Sequence, residues 1–294
     1  MNRRTFLMGS AAALGAGVLA QARATAAEVA AYVPLKKGVQ YGKLPKDLDD
    51  AEKFRIAREA GFDGVEAYPM ADLAAAAEVG RLARAAGVPV HSITYGGWGA
   101  PMSSPDPAVI SKGHAEIENG LRTAKAMGAD VMLLVPAVVN ESVSYESAWK
   151  NSQANIRPML PLAEELGVVI AVENVWSKFL LSPIEFAAYV DEFESDWVKA
   201  YFDCGNVVIF GYPEQWIATL GKRIVRAHVK GFHRDGFRWT PLYEDSIDWP
   251  AVRRAFDAIG YTGWITEELG DQTVEELHEL SRRMSLIGQG AAQA

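Results

Sequence analysis

Two rhythms alternate along the chain. Short unbroken apolar runs, such as residues 131–135 and 168–172, are too brief for core helices and do not alternate with polar positions. Such runs read as strands covered on both faces. Between them lie longer segments whose apolar residues recur every three or four positions. Those over residues 49–60, 71–86, 107–127 and 145–166 each end at a glycine: Gly61, Gly87, Gly128 and Gly167. Glycine just past the last periodic residue is a helix stop signal. Strands are expected over residues 38–41, 64–68, 88–94, 131–135, 168–173, 198–203, 224–228 and 263–268. Further helices are expected from Ser182-Pro183, from Pro213, from Asp248-Trp249-Pro250 and over residues 273–286, and the polar, aromatic stretch 231–246 reads as a long loop. Eight alternating strand–helix units predict a parallel sheet. At this length they predict one closed α/β domain, a (β/α)8 TIM barrel over residues 28–294. A doubly wound open sheet is the alternative. No Gly-x-Gly-x-x-Gly follows the first strand, which argues against a dinucleotide fold.

The chemistry sits where the apolar runs stop. The fifth to eighth strands end in Glu173, Asp203, His228 and the pair Glu267-Glu268. One acidic residue at a strand end is usually solvated or paired with lysine, and one histidine is usually a hydrogen-bonded core residue. Four such groups at the C-terminal ends of consecutive barrel strands, where these folds place their chemistry, predict one metal ion. An imidazole with three carboxylates suits a hard or borderline divalent cation, Mn²⁺ first, then Mg²⁺, Co²⁺ or Zn²⁺. Adjacent strand residues face opposite ways, so only one of Glu267 and Glu268 reaches the interior; spacing alone does not choose.

The net charge of −8 leaves no basic excess for a nucleic-acid partner. Residues 1–27 read as a targeting segment. Arg3-Arg4 precede Phe6-Leu7, an Ala/Gly/Leu stretch and Ala22-Arg23-Ala24. The pattern resembles a twin-arginine signal, with cleavage after Ala24 or Ala27, and implies the export machinery as a partner and a periplasmic or otherwise exported location. An ordinary secretory signal or an uncleaved anchor is the plainer reading. No other stretch is apolar enough to span a membrane, so no stable span remains after cleavage. Cys204 is the only cysteine, so stability cannot rest on disulfides within the chain.

Val172-Glu173-Asn174-Val175-Trp176, Phe202-Asp203-Cys204-Gly205-Asn206, Ala227-His228-Val229-Lys230 and the stretch from Gly260 to Glu268 resemble the xylose-isomerase-like barrels of the sugar phosphate isomerase/epimerase superfamily. The resemblance runs from about Gly38 to Ile287, nearest to ketose 3-epimerases and hydroxypyruvate-isomerase-like proteins. It implies a metal held by Glu173, Asp203, His228 and Glu268, the last chosen because the family's ligand lies five residues after Gly263. It also implies that Glu173 and Glu268 act as acid and base around a metal-stabilised enediolate. The resemblance implies substrate contacts at Arg234 and at the Asn206 position; the residues themselves offer Glu66 and His91, read as ends of the second and third strands, Trp98, Trp176 and Lys230 as further sugar contacts. Each has a plain structural alternative. Two positions depart from the free-sugar epimerases. Asn206 stands where they carry histidine, and Ser177-Lys178-Phe179-Leu180 replaces Asn-Arg-Phe-Glu. The expected substrate therefore does not carry over with the metal site. The related endonuclease IV branch needs several more histidine ligands than this chain's five histidines supply.

Three functions compete. The first is a metal-dependent sugar epimerase or isomerase, the second a lyase or dehydratase on keto-sugars or inososes, and the third a non-catalytic sugar-binding barrel. Homodimers are common in the family; the sequence itself does not set the oligomeric state.

Overall fold

Each expected apolar run becomes a strand. The barrel strands are β1 (Lys36–Gln40), β2 (Gly64–Ala67), β3 (Val90–Tyr95), β4 (Val131–Leu134), β5 (Val169–Glu173), β6 (Val198–Asp203), β7 (Ile224–Val229) and β10 (Trp264–Glu267). All neighbouring pairs are parallel, and β1 pairs with both β2 and β10, so the sheet closes. The computed structural model describes residues 32–268, 270 and 273–292. The expected signal segment, residues 1–27, lies outside the described residues together with its cleavage positions.

The helices are α1 (Asp50–Glu59), α2 (Leu73–Ala85), α3 (Pro107–Met127), α4 (Tyr145–Ile156), α5 (Leu160–Leu166), α6 (Pro183–Asp191), α7 (Pro213–Leu220), α8 (Trp249–Ala258) and α9 (Val274–Gly288). Their starts are chemically marked. Asp49, Asp72, Asp106, Ser182 and Asp248 accept hydrogen bonds from first-turn backbone N–H groups, and Thr273 with Glu276 forms a reciprocal capping box. Gly128 and Gly167 close α3 and α5 in the left-handed conformation that glycine adopts without steric cost.

Two elements differ from expectation. The single helix expected over residues 145–166 is broken by a 3-10 turn at Arg157–Met159. Pro158 and Pro161 lack the backbone N–H that a continuous helix needs there. The expected loop over 231–246 contains a hairpin, β8 (Gly231–His233) against β9 (Arg238–Thr240). Its turn carries Asp235-Gly236, with Gly236 at φ 83° and Phe237 at φ 50°. Asp-Gly is a strong hairpin signal because the turn needs positive φ.

Outward strand residues such as Val65, Ile170, Val172 and Phe202 share one core with Phe54, Leu121, Phe186 and Phe256 of the helices. Val131, Leu133, Ala171 and Tyr201 form a separate buried cluster. Ala171 shares a face with Glu173, and Tyr201 with Asp203, by strand alternation. The barrel interior is thus filled beneath the strand ends, and the polar groups collect above that plug.

Candidate metal centre

Strand register brings the four polar ends together. Asp203 on β6 pairs with His228 on β7, and His228 with Thr266 on β10; Glu173 on β5 pairs with Tyr201. Glu268 lies two residues beyond Thr266, just past the end of β10, on the same face. The four side chains each offer one ligand atom, and these atoms lie within 4.8 Å of one another. His228 Nδ1 stands at the centre, 2.8 Å from Glu173 Oε1, 3.7 Å from Glu268 Oε2 and 3.9 Å from Asp203 Oδ2.

The opposite edge of the imidazole is held from below. His228 Nε2 lies 3.1 Å from Glu66 Oε1. Glu66 is fully buried and also accepts from Gln40 at 3.0 Å, Ser92 at 3.1 Å, Thr94 at 2.6 Å and the Tyr201 hydroxyl. A carboxylate that accepts a hydrogen bond from Nε2–H favours the tautomer whose Nδ1 lone pair is aimed at the other three candidate ligands. That is the usual way a metal-ligating histidine is oriented. A second lock joins the β5 and β6 ends. Asn174 Nδ2 donates to the Asp203 carbonyl, the Asp203 backbone N–H donates to Asn174 Oδ1, and Asn206 Nδ2 donates to the Asn174 carbonyl.

The electrostatics call for a cation. Burial pushes the Glu173 carboxyl up to about 8, with the charge of Glu268 adding to the shift. Burial also raises Asp203, against the pull of Lys230. Burial would raise Glu268 too, but His228 and Lys230 hold it below the usual carboxylate range. Burial alone would lower His228; the charges of Glu66, Glu268 and Glu173 outweigh it and raise the imidazole well above its ordinary value. Asp203 Oδ2 is buried without a hydrogen bond. Lys230 Nζ lies 2.9 Å from it and 2.5 Å from Glu268 Oε2, so the first contact is an ion pair lacking hydrogen-bond direction. A buried carboxylate oxygen without a hydrogen bond, beside two more carboxylates and an imidazole nitrogen that faces them, fits a divalent cation with oxygen and nitrogen ligands.

The remaining sequence-derived candidates are dispersed. Glu267 is buried and points away from the cluster, into a 3.0 Å pair with Lys43. Glu66 lies beneath His228 with its oxygens engaged. His91 is the second residue of β3, not its end, and stacks on Trp264 at 4.3 Å. Asn206 is spent on the Asn174 lock. Lys230 joins Asp203 and Glu268, and its ammonium lies 4.9 Å over the Trp239 ring. Arg234 donates to the Val208 and Gly211 carbonyls and stacks on Tyr212. Trp176 is 39% exposed, donates to the Asn206 carbonyl and stacks on Trp239 at 4.8 Å. Trp98, in the loop after β3, is 54% exposed. Sequence reasoning missed Lys43, Asn174, Tyr201 and the hairpin aromatics. Tyr201 was within reach, since it lies two residues before Asp203 and alternation places it on the same face.

Comparison with known proteins agrees with this architecture. Residues 54–286 match the xylose isomerase-like TIM barrel family, and the chain belongs to it. A protein of Escherichia coli (strain K12), provisionally named an L-ribulose-5-phosphate 3-epimerase, is 24% identical over 261 residues, covering 81% of this chain and 90% of that protein. A solved L-ribulose 3-epimerase superposes with a TM-score of 0.74 at 17% identity, covering 87% of this chain and 95% of its own. A 3-keto-D-glucoside 4-epimerase from E. coli gives 0.69 at 17% identity, with 86% and 98% covered.

Proposed function

We propose that this member of the xylose isomerase-like TIM barrel family is a divalent-metal-dependent sugar epimerase or isomerase. One observation carries the reading. His228 Nδ1, with its other edge fixed by Glu66, faces the buried carboxylates of Glu173 and Asp203 and the partly buried one of Glu268 at neighbouring strand ends. The names of the relatives support the sugar class.

Glu173, Asp203, His228 and Glu268 would hold the cation, with Mn²⁺ the first choice. When bound, it supplies a Lewis acid that stabilises negative charge developing on a substrate oxygen beside a carbonyl. The protein's own groups handle the proton. Glu173 ends β5 and Glu268 follows β10, with β6 and β7 between them, so the two carboxyls approach the site from different sides, as an acid–base pair requires. One takes the proton from the carbon next to the carbonyl; the other returns a proton to the opposite face, inverting that centre. Taking the proton from C1 of the ketose and returning it to C2 gives the aldose isomer instead. Asn174 and Asn206 keep the β5 and β6 ends in place meanwhile. Residues 1–27 support export of the folded protein by the twin-arginine route, which Arg3→Lys with Arg4→Lys would block.

The test pairs metal content with isotope exchange. Purified wild type is expected to carry about one divalent metal per chain and to exchange the proton beside the carbonyl of a ketose in D₂O. His228→Ala should lose both. Metal without exchange, but with elimination products from keto-sugars, would turn the reading to a lyase. Wild type that takes up no metal after reconstitution would leave only a sugar-binding barrel.

A further inference from the structure

We infer that His91 is a positioning residue of the metal centre: it passes one hydrogen-bond direction through Ser92 to Glu66, and so keeps His228 with Nδ1 turned to the candidate ligands. The inference rests on the metal reading above and deepens it.

The groups form an unbroken line inside the barrel. His228 Nε2 lies 3.1 Å from Glu66 Oε1, and Ser92 Oγ lies 3.1 Å from Glu66 Oε2 and 3.0 Å from His91 Nδ1. Thr266 Oγ1 lies 3.2 Å from His91 Nε2. Thr266 in turn pairs in register with His228 and stands two residues before Glu268. The line leaves His228 through its ring and returns to it through the sheet. All of these side chains are buried.

Proton counting gives the line one direction. Glu66 accepts from the amide of Gln40 and from the hydroxyls of Thr94 and Tyr201. So many donors favour the ionised carboxylate, which can only accept. Ser92 has one proton, and its contact with Glu66 uses it. The Tyr201 hydroxyl also lies 3.4 Å from Ser92 Oγ, but its proton is spent on Glu66. Ser92 Oγ therefore accepts from His91, which places a proton on Nδ1. Burial, with the charge of Arg226, holds the His91 imidazole well below its ordinary range, so the ring is neutral and carries only that proton. Its Nε2 accepts from the Thr266 hydroxyl. Every donor along the line points toward Glu66, and Glu66 is left to accept from His228 Nε2–H.

The surroundings are shaped for this ring rather than for an apolar filler. Trp264 stacks on it at 4.3 Å, and Arg226 donates to the His91 carbonyl at 2.9 Å. A Cβ at position 38 would lie 2.5 Å from both His91 Nε2 and Thr266 Oγ1, so Gly38 keeps room for their hydrogen bond. An apolar residue in place of His91 would leave the Ser92 oxygen without a donor and free to turn, loosening the hold on Glu66.

The test reads a tautomer and an affinity. Free histidine prefers its proton on Nε2, so an Nδ1–H form is a signature of the line. Heteronuclear NMR of the Zn²⁺-loaded full chain, labelled at histidine, should show His91 protonated at Nδ1 and bare at Nε2. In competitive chelator titrations, His91→Leu should lower Zn²⁺ affinity about tenfold, the low end for an outer partner. His91→Asn keeps an N–H near the Nδ1 position and should stay within about threefold of wild type. In a Ser92→Ala background, His91→Leu should add less than about twofold, because its effect passes through Ser92. The wild-type spectrum and the asparagine variant decide the matter even where His91→Leu fails to fold. A proton on Nε2, an asparagine variant below that threefold limit, unchanged affinity in His91→Leu, or a full further loss in the Ser92→Ala background overturns the inference while the metal reading stands. Wild type that takes up no Zn²⁺ overturns the metal reading itself, and this inference with it.

Discussion

Glu66 and His228 stand 162 residues apart in sequence, yet the carboxylate grips the imidazole Nε2 at 3.1 Å, on the side away from the metal ligands. Glu66 is itself over-determined by Gln40, Ser92, Thr94 and Tyr201, so it has little freedom to turn. Glu66→Gln retains the shape but presents an amide where the charge was. Metal affinity is expected to fall 10- to 100-fold, roughly the cost of losing such an outer partner, while the far-ultraviolet circular dichroism stays that of the wild type. Equal affinity in a competitive chelator titration would remove Glu66 from the design of the site.

Adjacent glutamates should separate cleanly. Glu268 belongs to the cluster, whereas Glu267 sits in a buried pair with Lys43. Glu268→Gln should abolish tight metal binding with a modest effect on metal-free stability. Glu267→Gln leaves a buried ammonium short of its counter-charge and should cost roughly 3–5 kcal/mol, with metal affinity changed less than threefold. Denaturant melts and chelator titrations on both variants decide the matter. The opposite assignment of losses would mean that Glu267 is the ligand.

The barrel was legible because β4 and β5 are continuous apolar runs, the other strands are short and mostly apolar, and most helices stop at a glycine. The four-residue cluster was legible for the same reason: a carboxylate or imidazole that ends an apolar run has little packing purpose. What escaped was pairing between distant elements. The contact of Glu66 with His228 escaped because nothing in its own strand announces a partner on β7. Lys43 carries no local signal at all. The broken helix at Pro158 and Pro161 and the hairpin turn at Asp235-Gly236 did carry local signals, and there the long-range periodicity and the polar composition were given too much weight. His91 was misplaced by register, since β3 extends four residues beyond it to Tyr95.

Lys230 competes with the metal for its ligands. Its ammonium contacts Glu268 Oε2 and lies beside Asp203 Oδ2, both of which a cation would need. Lys230→Met keeps much of the apolar stem. The metal-free variant should be less stable than wild type, because Asp203 and Glu268 lose their counter-charge. Its affinity for Mn²⁺ should rise about tenfold, since one cation no longer has to be displaced. Weaker Mn²⁺ binding would instead show that Lys230 props the carboxylates in ligating positions.

The pH dependence of stability should reverse the usual expectation when the metal is removed. Glu173 is raised from its ordinary 4.5 to about 8 in the folded chain, and His228 is raised as well. Between about pH 5 and pH 8 the folded state therefore binds more protons than the unfolded state. Stability present at the acid end is lost as pH rises through that window, by up to about 1.4 kcal/mol per pH unit for each proton involved. Glu268, shifted the other way, contributes stability lost only as pH falls below the ordinary carboxylate range. Bound metal replaces those protons, and its affinity grows as they leave. Melting temperatures of the chelated protein should fall from pH 5.5 to pH 8, and the gap to the loaded protein should widen over the same range. A saturating ion at a hundred times its dissociation constant adds about 2.7 kcal/mol, which is several degrees for a domain of this size. A gap that stays constant with pH would mean that the four side chains reach their metal-bound charge state before any metal arrives, and that the carboxyl of Glu173 is ionised in the empty site.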